Sequence, residues 1–202
     1  MRPSLGIGSA LLVDLTAAGL PLSAETVFGR PCRFEVELGS GKGRFLIQWG
    51  AAHPEIGILA VERALKYAEL AAVRAARMGL GNARVAATTA EDLLFRCLAP
   101  ASVDGFHVYF PDPWPKMRHQ KRRFFCPDNL RRLVDRLRPG GLLRVKTDHP
   151  GYAAVIGPLL AAQSGLDRVD EAEAWAGVPA TNFEVKYARD QRPIHRFAFR
   201  RL

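Results

Sequence analysis

Three of the five residues from Pro111 to Pro115 are prolines, and they directly follow an apolar run, Val103 to Phe110. Each proline fixes φ and removes a backbone donor, so the segment cannot continue a strand or begin an ordinary helix. We therefore predict a stiff loop at the carboxyl end of a strand, which is where open α/β sheets bind their ligands. The loop carries one carboxylate, Asp112, and one indole, Trp114.

A dense run of cations follows this loop. Its members are Lys116, Arg118, Lys121, Arg122 and Arg123. The whole chain carries a formal charge of +9, from 29 Lys and Arg against 20 Asp and Glu. Such an excess favours a polyanionic partner, most often nucleic acid. The alternative is that these charges only keep a surface loop soluble.

From residue 33 onward, strand and helix patterns alternate. Strands are predicted over 33–38, 56–61, 83–87, 103–110, 142–147, 183–187 and 194–199. Helices are predicted over 45–52, 64–78, 90–98, from 127 to a stop at 139, and over 151–163. The last two strands are joined by so short a connection that they must be antiparallel. The pattern predicts a doubly wound, Rossmann-like α/β fold: a mostly parallel seven-stranded sheet with a C-terminal antiparallel hairpin.

A chain of 202 residues suffices for one domain with a full core. Residues 1–31 show no clear period, and we predict an N-terminal extension there, with the main domain over 32–202. The three cysteines follow neither a disulfide framework nor metal-ligand spacing, which favours a reducing compartment and no metal. No apolar stretch approaches the roughly 20 residues of a membrane span, and Asp14 interrupts the apolar run near the N-terminus. We expect a cytoplasmic protein without a membrane partner.

A glycine-rich turn follows the first predicted strand, with glycines at Gly39, Gly41 and Gly43. Glycines allow the backbone to approach a ligand closely, and the next helix presents free N–H groups. Glu62 lies 25 residues after Glu37, at the end of the second strand, where an acid can accept both hydrogen bonds of a ribose diol. This combination favours a turn that binds a nucleoside-bearing ligand. The alternative is a tight strand-to-helix turn that binds no ligand.

The spacing narrows the class of ligand. A P-loop is excluded because Gly43 stands where a Ser or Thr would hold magnesium, and a dehydrogenase prefers G-x-G-x-x-G. Glu37, just before the glycines, would repel a pyrophosphate and suits a cationic ligand. S-adenosylmethionine carries an ammonium and a sulfonium, so a methyl donor fits best.

With both motifs placed, the sequence resembles the bacterial tRNA (guanine-N7-)-methyltransferases over about residues 27–199. The matching pieces are Phe28-Gly29-Arg30, Glu37 to Gly43, Glu62, Phe110 to Lys116, Arg118 to Arg123, Thr147-Asp148 and Thr181 to Glu184. The resemblance implies a class I methyltransferase fold. It also implies methyl transfer from S-adenosylmethionine to N7 of a guanosine in the tRNA variable loop, with S-adenosylhomocysteine as the other product and no metal. The expected partner is tRNA, and the expected state is a monomer or homodimer.

The resemblance also assigns roles to residues. Donor binding falls to Glu37, Gly39, Gly41, Glu62, Thr89 and Asp112. Substrate binding falls to Lys116, Asp148, Thr181, Asn182, Phe183 and Glu184. RNA binding falls to Arg118, His119, Gln120, Lys121, Arg122 and Arg123. One position departs from the family, which usually has an Asp contacting the adenine where this chain has Thr89; either that hydroxyl or Glu91 is expected to take its place.

Asp112, which by resemblance touches both donor and base, is the predicted catalytic residue. Guanine N7 has a free lone pair, so attack needs alignment rather than proton removal. A fixed carboxylate would favour the positive charge that spreads over the purine. Asp112 could instead only form the turn, Trp114 could stack on a base or serve as a hydrophobic peg, and Asp148 could only cap a helix.

Two other functions fit the same residues. One is a class I methyltransferase acting on another RNA or a small molecule. Amine-directed nucleic-acid methyltransferases typically show an Asn- or Asp-Pro-Pro-aromatic loop, whereas this loop reads Asp-Pro-Trp-Pro-Lys. The other is a non-catalytic basic RNA-binding module, against which the intact Glu37, Glu62 and Asp112 argue.

Overall fold

The structure is a computed structural model that describes residues 8–202, the side chain of Ser9 excepted. Residues 1–7 of the predicted N-terminal extension lie outside the described residues. Within the described part, no helix is long and apolar enough to cross a membrane. No group of three or more His, Cys, Asp or Glu in residues 8–202 is placed to hold a metal ion.

In the part of the chain that the structure describes, seven strands form one sheet in the order β3-β2-β1-β4-β5-β7-β6. Their bounds are β1 Arg33–Leu38, β2 Ile56–Val61, β3 Ala83–Ala86, β4 Val103–Tyr109, β5 Leu137–Thr147, β6 Leu166–Arg168 and β7 His195–Arg201. Strands β1 to β5 pair in parallel, whereas β7 is antiparallel to both β5 and β6. The predicted α/β fold, with a mostly parallel sheet and antiparallel C-terminal strands, is confirmed.

Eight α-helices that lie wholly within residues 8–202 connect and cover these strands. Their bounds are α1 Ala24–Phe28, α2 Arg44–Ala52, α3 Leu65–Arg77, α4 Ala90–Asp92, α5 Pro127–Arg136, α6 Pro150–Ala161, α7 Glu171–Trp175 and α8 Asn182–Arg189. Helix α4 continues as a π-helical turn over Leu93–Cys97, and 3-10 helices span Ser9–Leu11 and Met117–Arg122.

Because strand side chains alternate between the two faces of a sheet, the core has two layers. On one face, called the α5 face, Phe34 and Phe106 pack with residues of α1, α4, α5 and α6, including the fully buried Tyr152. On the other, called the α2 face, Ile58 and Tyr109 pack with residues of α2 and α3. The segment between residue 8 and the start of β1 also contributes to this core, since Leu22 is fully buried in the α5-face layer.

Helices α2 and α3 approach each other closely at Gly43. A Cβ on this residue would lie 2.7 Å from the Cβ of Ala71, and its φ of +74° favours glycine as well. The alanine-rich buried side of α3 therefore lets the glycine turn sit directly against the helix.

The strand predicted over 183–187 is wrong, because these residues belong to α8. The alternation of Phe183, Val185 and Tyr187 matches the period of a strand, but a capping box prevails over it. The backbone N–H of Glu184 donates to the Thr181 hydroxyl at 3.2 Å, and the N–H of Thr181 donates to the Glu184 carboxylate at 2.8 Å. The edge strand that pairs with β7 is instead β6, only three residues long.

Candidate active site

A cleft of about 650 Å³ opens at the carboxyl edge of the parallel strands. Its walls come from the segments that follow β1, β2, β3 and β4. The lining includes Gly39 and Gly41, Glu62 and Arg63, Thr88 to Glu91, and Phe110 to Asp112 with Trp114. Parallel strands end at one edge, so residues distant in sequence meet there.

The glycine turn leaves room for a ligand. Gly39 and Gly41 have φ values of +86° and +53°, and a Cβ placed on either would meet no atom within 4 Å. The carboxylate of Glu62 is fixed beside this turn, since it accepts the Gly41 N–H at 2.9 Å and the Ala64 N–H at 2.8 Å. Each carboxylate oxygen keeps a further lone pair, as two hydroxyls of a ribose diol would require.

Glu37 lies buried at the end of β1, just before the glycine turn. Its Oε2 atom has no hydrogen-bond partner within residues 8–202. Burial raises the pKa of Glu37 to about 8; the Leu46 backbone N–H opposes this rise and the Glu62 carboxylate adds to it. An unpartnered buried carboxylate next to a cleft is suited to a ligand cation, which would supply the missing partner.

At the β3 side of the cleft, Thr89 caps α4, its hydroxyl oxygen accepting the Asp92 N–H at 3.0 Å. A hydroxyl that accepts one bond still has a proton to donate. Glu91 also lines the cleft and is exposed. The structure thus keeps both predicted adenine contacts, Thr89 and Glu91, within reach of one ligand.

The proline-rich loop is anchored at both ends. Phe110 N–H donates to the Lys146 carbonyl at 2.7 Å, and Arg123 Nε donates to the Pro113 carbonyl at 2.8 Å. Phe110 and Trp114 have positive φ values of 55° and 41°, a strained conformation for residues other than glycine. Such strain concentrates at functional sites, where surrounding contacts maintain it.

Asp112 projects from this loop with 66% of its side chain exposed. The nearest cation is Arg63, whose Nη2 lies 3.8 Å from the Asp112 carboxylate. Trp114 lines the cleft with the Arg122 guanidinium 5.1 Å from its ring and His119 against its edge. Lys116 is exposed and forms no ion pair with Asp112.

The six residues predicted to bind RNA do not share one environment. Arg118, Gln120, Lys121 and Arg122 are exposed, whereas His119 and Arg123 are partly buried. Besides its bond to the loop, Arg123 lies 4.8 Å from the ring of Tyr152 on the α5 face. In this structure Arg123 supports the loop, and the exposed members of the set remain available to a ligand.

Of the predicted substrate residues, Thr181 and Glu184 are buried and committed to the protein. The Glu184 carboxylate contacts Lys146 Nζ at 2.9 Å and Arg196 at 3.8 Å, in addition to the Thr181 N–H. Asn182 and Phe183 are exposed, and Phe183 lines the cleft, 5.5 Å from the Phe110 ring between centroids. Thr181 and Glu184 therefore orient α8, while Phe183 meets the cleft.

Asp148 lies at the end of β5, beside α8. Its carboxylate is 3.5 Å from Arg192 Nη1 and is 19% exposed. It does not cap α6, since the capping side chain there is His149, which accepts the Tyr152 N–H. The helix-cap alternative for Asp148 is therefore wrong.

Sequence reasoning missed Lys146, which is only 2% exposed. Its ammonium lies between the rings of Tyr109 and Trp175, at 4.8 and 4.7 Å, and burial lowers its pKa. The available signal was a strand that carries two cations, Arg144 and Lys146, between apolar residues, because a lysine buried in a sheet needs an acidic partner.

A buried polar cluster also lies beneath the loop. Glu35 accepts bonds from Trp49 Nε1 at 3.0 Å and Arg33 Nε at 2.9 Å, and is bonded to His107 Nε2 at 2.8 Å. His107 Nδ1 is in turn 2.8 Å from the Tyr109 hydroxyl. Although burial opposes ionisation, His107 and Arg33 hold the pKa of Glu35 at about 2.

The sequence is similar to methyltransferases over most of its length. A family model described as a putative methyltransferase matches residues 33–197. The tRNA (guanine-N(7)-)-methyltransferase of Mycobacterium avium is 36% identical over 187 residues, covering 91% of this chain and 72% of that protein. That of Mycolicibacterium paratuberculosis is 38% identical over 164 residues, covering 81% of this chain and 63% of that protein.

Solved structures show the same fold at lower identity. The 16S rRNA methyltransferase KamB superimposes with a TM-score of 0.65 at 19% identity, over 88% of this chain and 91% of that one. The 30S ribosomal A1408 methyltransferase from an uncultured bacterium gives 0.59 at 12% identity, over 94% and 95%. At these identities the likeness concerns the fold alone.

The Lys146–Glu184 pair yields a first prediction. Lys146→Met leaves the buried Glu184 carboxylate with only Arg196 nearby, so we expect a loss of about 2–4 kcal/mol of unfolding free energy. Adding Glu184→Gln removes the unpaired charge but keeps the capping box, so the double variant should regain most of that loss. Urea denaturation measures both; equal losses in the single and double variants would contradict the role assigned to the pair.

The raised pKa of Glu37 yields a second prediction. In the folded protein Glu37 stays protonated up to about pH 8, whereas the unfolded chain ionises near 4.5, so this residue lowers stability as pH rises between those values. Glu37→Gln should therefore be increasingly more stable than the parent from pH 5 to 8, by up to about 1.4 kcal/mol per pH unit.

Thermal or urea denaturation across this pH range measures the effect. The exposed Glu171→Gln is the control and should show no such trend, because the cation next to Glu171 is Arg168, which stays charged over this pH range. A difference between Glu37→Gln and the parent that does not change with pH would show that Glu37 is ionised throughout.

Proposed function

The chain belongs to the tRNA (guanine-N7-)-methyltransferase family, and we propose that it methylates N7 of a guanosine in the tRNA variable loop. The observation that carries the proposal is the meeting of an acid-lined glycine turn and the Asp112 loop in one cleft, with exposed cations at its rim. Because tRNA modification in bacteria takes place in the cytoplasm, we place the reaction there.

The donor half of the cleft fits S-adenosylmethionine. The orphan oxygen of Glu37 suits the donor's ammonium, and the two oxygens of Glu62 suit its ribose hydroxyls. Gly39 and Gly41 leave the turn open for the ligand backbone, and Thr89 with Glu91 faces the adenine side. When bound, the donor supplies an electrophilic methyl group on a sulfonium.

The other half of the cleft would hold the guanine base next to that methyl group. Trp114 and Phe183 both line the cleft, and aromatic faces of this kind stack on bases with about 1–3 kcal/mol each. Their contribution is orientation, which removes much of the entropic barrier to transfer. With the donor bound, methyl transfer would form the N7–carbon bond as the sulfur–carbon bond breaks, which would leave S-adenosylhomocysteine and a cationic purine without removal of a proton from N7.

Asp112 is the carboxylate that we propose meets that charge. Its ion pair with Arg63 is long and exposed to solvent, and such pairs contribute little to stability. The Asp112 carboxylate can therefore leave Arg63 and bind hydrogen-bond donors of the base at little cost. Held against the Watson–Crick edge of guanine, it would stabilise the purine as it becomes cationic.

Incubation of unmodified tRNA with methyl-labelled S-adenosylmethionine, followed by borohydride–aniline cleavage, tests the function. We expect one labelled, cleavable guanosine in the variable loop, and no label in a tRNA whose substrate guanosine is changed to adenosine. Label in another base or position would overturn the proposal.

The role of Asp112 gives a separate prediction. Asp112→Asn keeps the size of the side chain but removes its charge, so turnover should fall by about 100-fold or more. Donor affinity, measured by calorimetry, should change far less, because Glu37 and Glu62 remain. Unchanged turnover would exclude Asp112 from the chemical step.

A further inference from the structure

Within residues 8–202, some Lys and Arg side chains have a carboxylate within 4.0 Å and others have none. Many distant from the cleft are paired, including Arg131 with Asp128 and Arg168 with Glu171. Around the cleft, several exposed cations have no such partner within residues 8–202. These are Lys116, Arg118, Lys121, Lys186 and Arg189. Exposed cations without such a partner within residues 8–202 also include Arg30, Lys42, Lys66 and Arg77. The five named first differ in position, since they lie on the two segments next to Trp114 and Phe183, where a polyanion entering the cleft would meet them.

The last two of these cations lie on α8, and the helix geometry shows where they point. Glu184 is the buried residue of α8 and anchors it to Lys146. At 3.6 residues per turn, Lys186 and Arg189 lie roughly 140–160° around the helix from Glu184. Both are exposed, so the anchor turns them outward. The acid on the following residue, Asp190, is directed to Arg192, 3.9 Å away.

An aromatic flank joins this outward side of α8 to the cleft. Phe183 is 49% exposed and lines the cleft, and Phe183 and Tyr187 pack against Phe110 at 5.5 and 5.6 Å. Cations placed next to an exposed ring are the combination by which proteins hold single-stranded nucleic acid. Helix α8 therefore offers a base contact and phosphate contacts in adjacent positions.

The two basic segments lie on opposite faces of the sheet. The 3-10 helix over Met117–Arg122 is followed by Arg123 and Phe125, which contact Tyr152 of the α5 face. Helix α8 is tied through Glu184 to Lys146, whose ammonium contacts Tyr109 of the α2 face. The cleft and Phe110 lie at the sheet edge between them.

We infer that α8 is a second RNA-binding element, on which Lys186 and Arg189 each bind a phosphate of the tRNA. The RNA backbone crosses the mouth of the cleft from the 3-10 helix to α8, which places the target nucleotide between Trp114 and Phe183. This inference rests on the proposed function, since it takes tRNA as the polyanion.

The test is the salt dependence of tRNA binding by the Lys186→Gln/Arg189→Gln variant of the full chain. The logarithm of the binding constant falls linearly with the logarithm of the salt concentration. Each lost phosphate contact reduces the magnitude of this slope by about 0.7 for a single strand and about 0.9 for a duplex. We expect the magnitude of the slope to fall by about 1.4–1.8, with unchanged S-adenosylmethionine affinity in calorimetry. Glutamine is a good helix former, so α8 should persist.

The matched control is Arg131→Gln/Arg168→Gln. It removes the same charge from two arginines, each 72% exposed and paired away from the cleft, and should leave the slope unchanged. An unchanged slope in the α8 variant, or an equal drop in both variants, would overturn the inference while guanosine labelling by the parent protein still supports the proposed function. Failure of the parent to label tRNA guanosine would instead overturn the function itself.

Discussion

A chain of buried polar contacts crosses the α2 face and connects the centre of the sheet to the substrate side of the cleft. It begins at Glu35, which joins β1, α2 and β4 through Arg33, Trp49 and His107. His107 passes to Tyr109, whose ring packs against the Lys146 ammonium, and Lys146 pairs with Glu184. Each member is paired, as buried polar groups must be if the region is to adopt one structure. The position of α8, and with it Phe183, depends on this chain.

The two halves of the cleft are built in different ways. The half proposed to hold the donor depends on a glycine turn with positive φ and on Glu62 at the end of the neighbouring strand, which accepts the Gly41 N–H of that turn. The half proposed to hold the base depends on distant contacts, since the helix that carries Phe183 is held by Glu184 against Lys146 of β5 and by the Phe183 ring against Phe110. Loss of a contact beneath α8 should therefore affect the base more than the donor.

The basic run after the proline loop performs two tasks. Arg123 is used inside the protein, where it holds the Pro113 carbonyl and packs on Tyr152. Arg118 and Lys121 stay exposed and free of carboxylate partners within residues 8–202. Arg122 does both, since it is exposed to solvent and its guanidinium packs on the ring of Trp114. Counting the cations in the sequence would assign all of them to RNA, although only some of them are available.

The sequence by itself determined the features that depend on neighbouring residues. The period of the first four strands, the glycine turn, the acid after β2 and the stiff proline loop all follow from local preference, and a parallel sheet then brings them to one edge. Tertiary structure decided the C-terminal part. Residues 183–187 alternate like a strand but are held as a helix by Thr181, Glu184 and the distant Lys146. The edge strand β6 exists only through its pairing with β7, because three residues with one buried side chain carry too little local pattern to specify a strand.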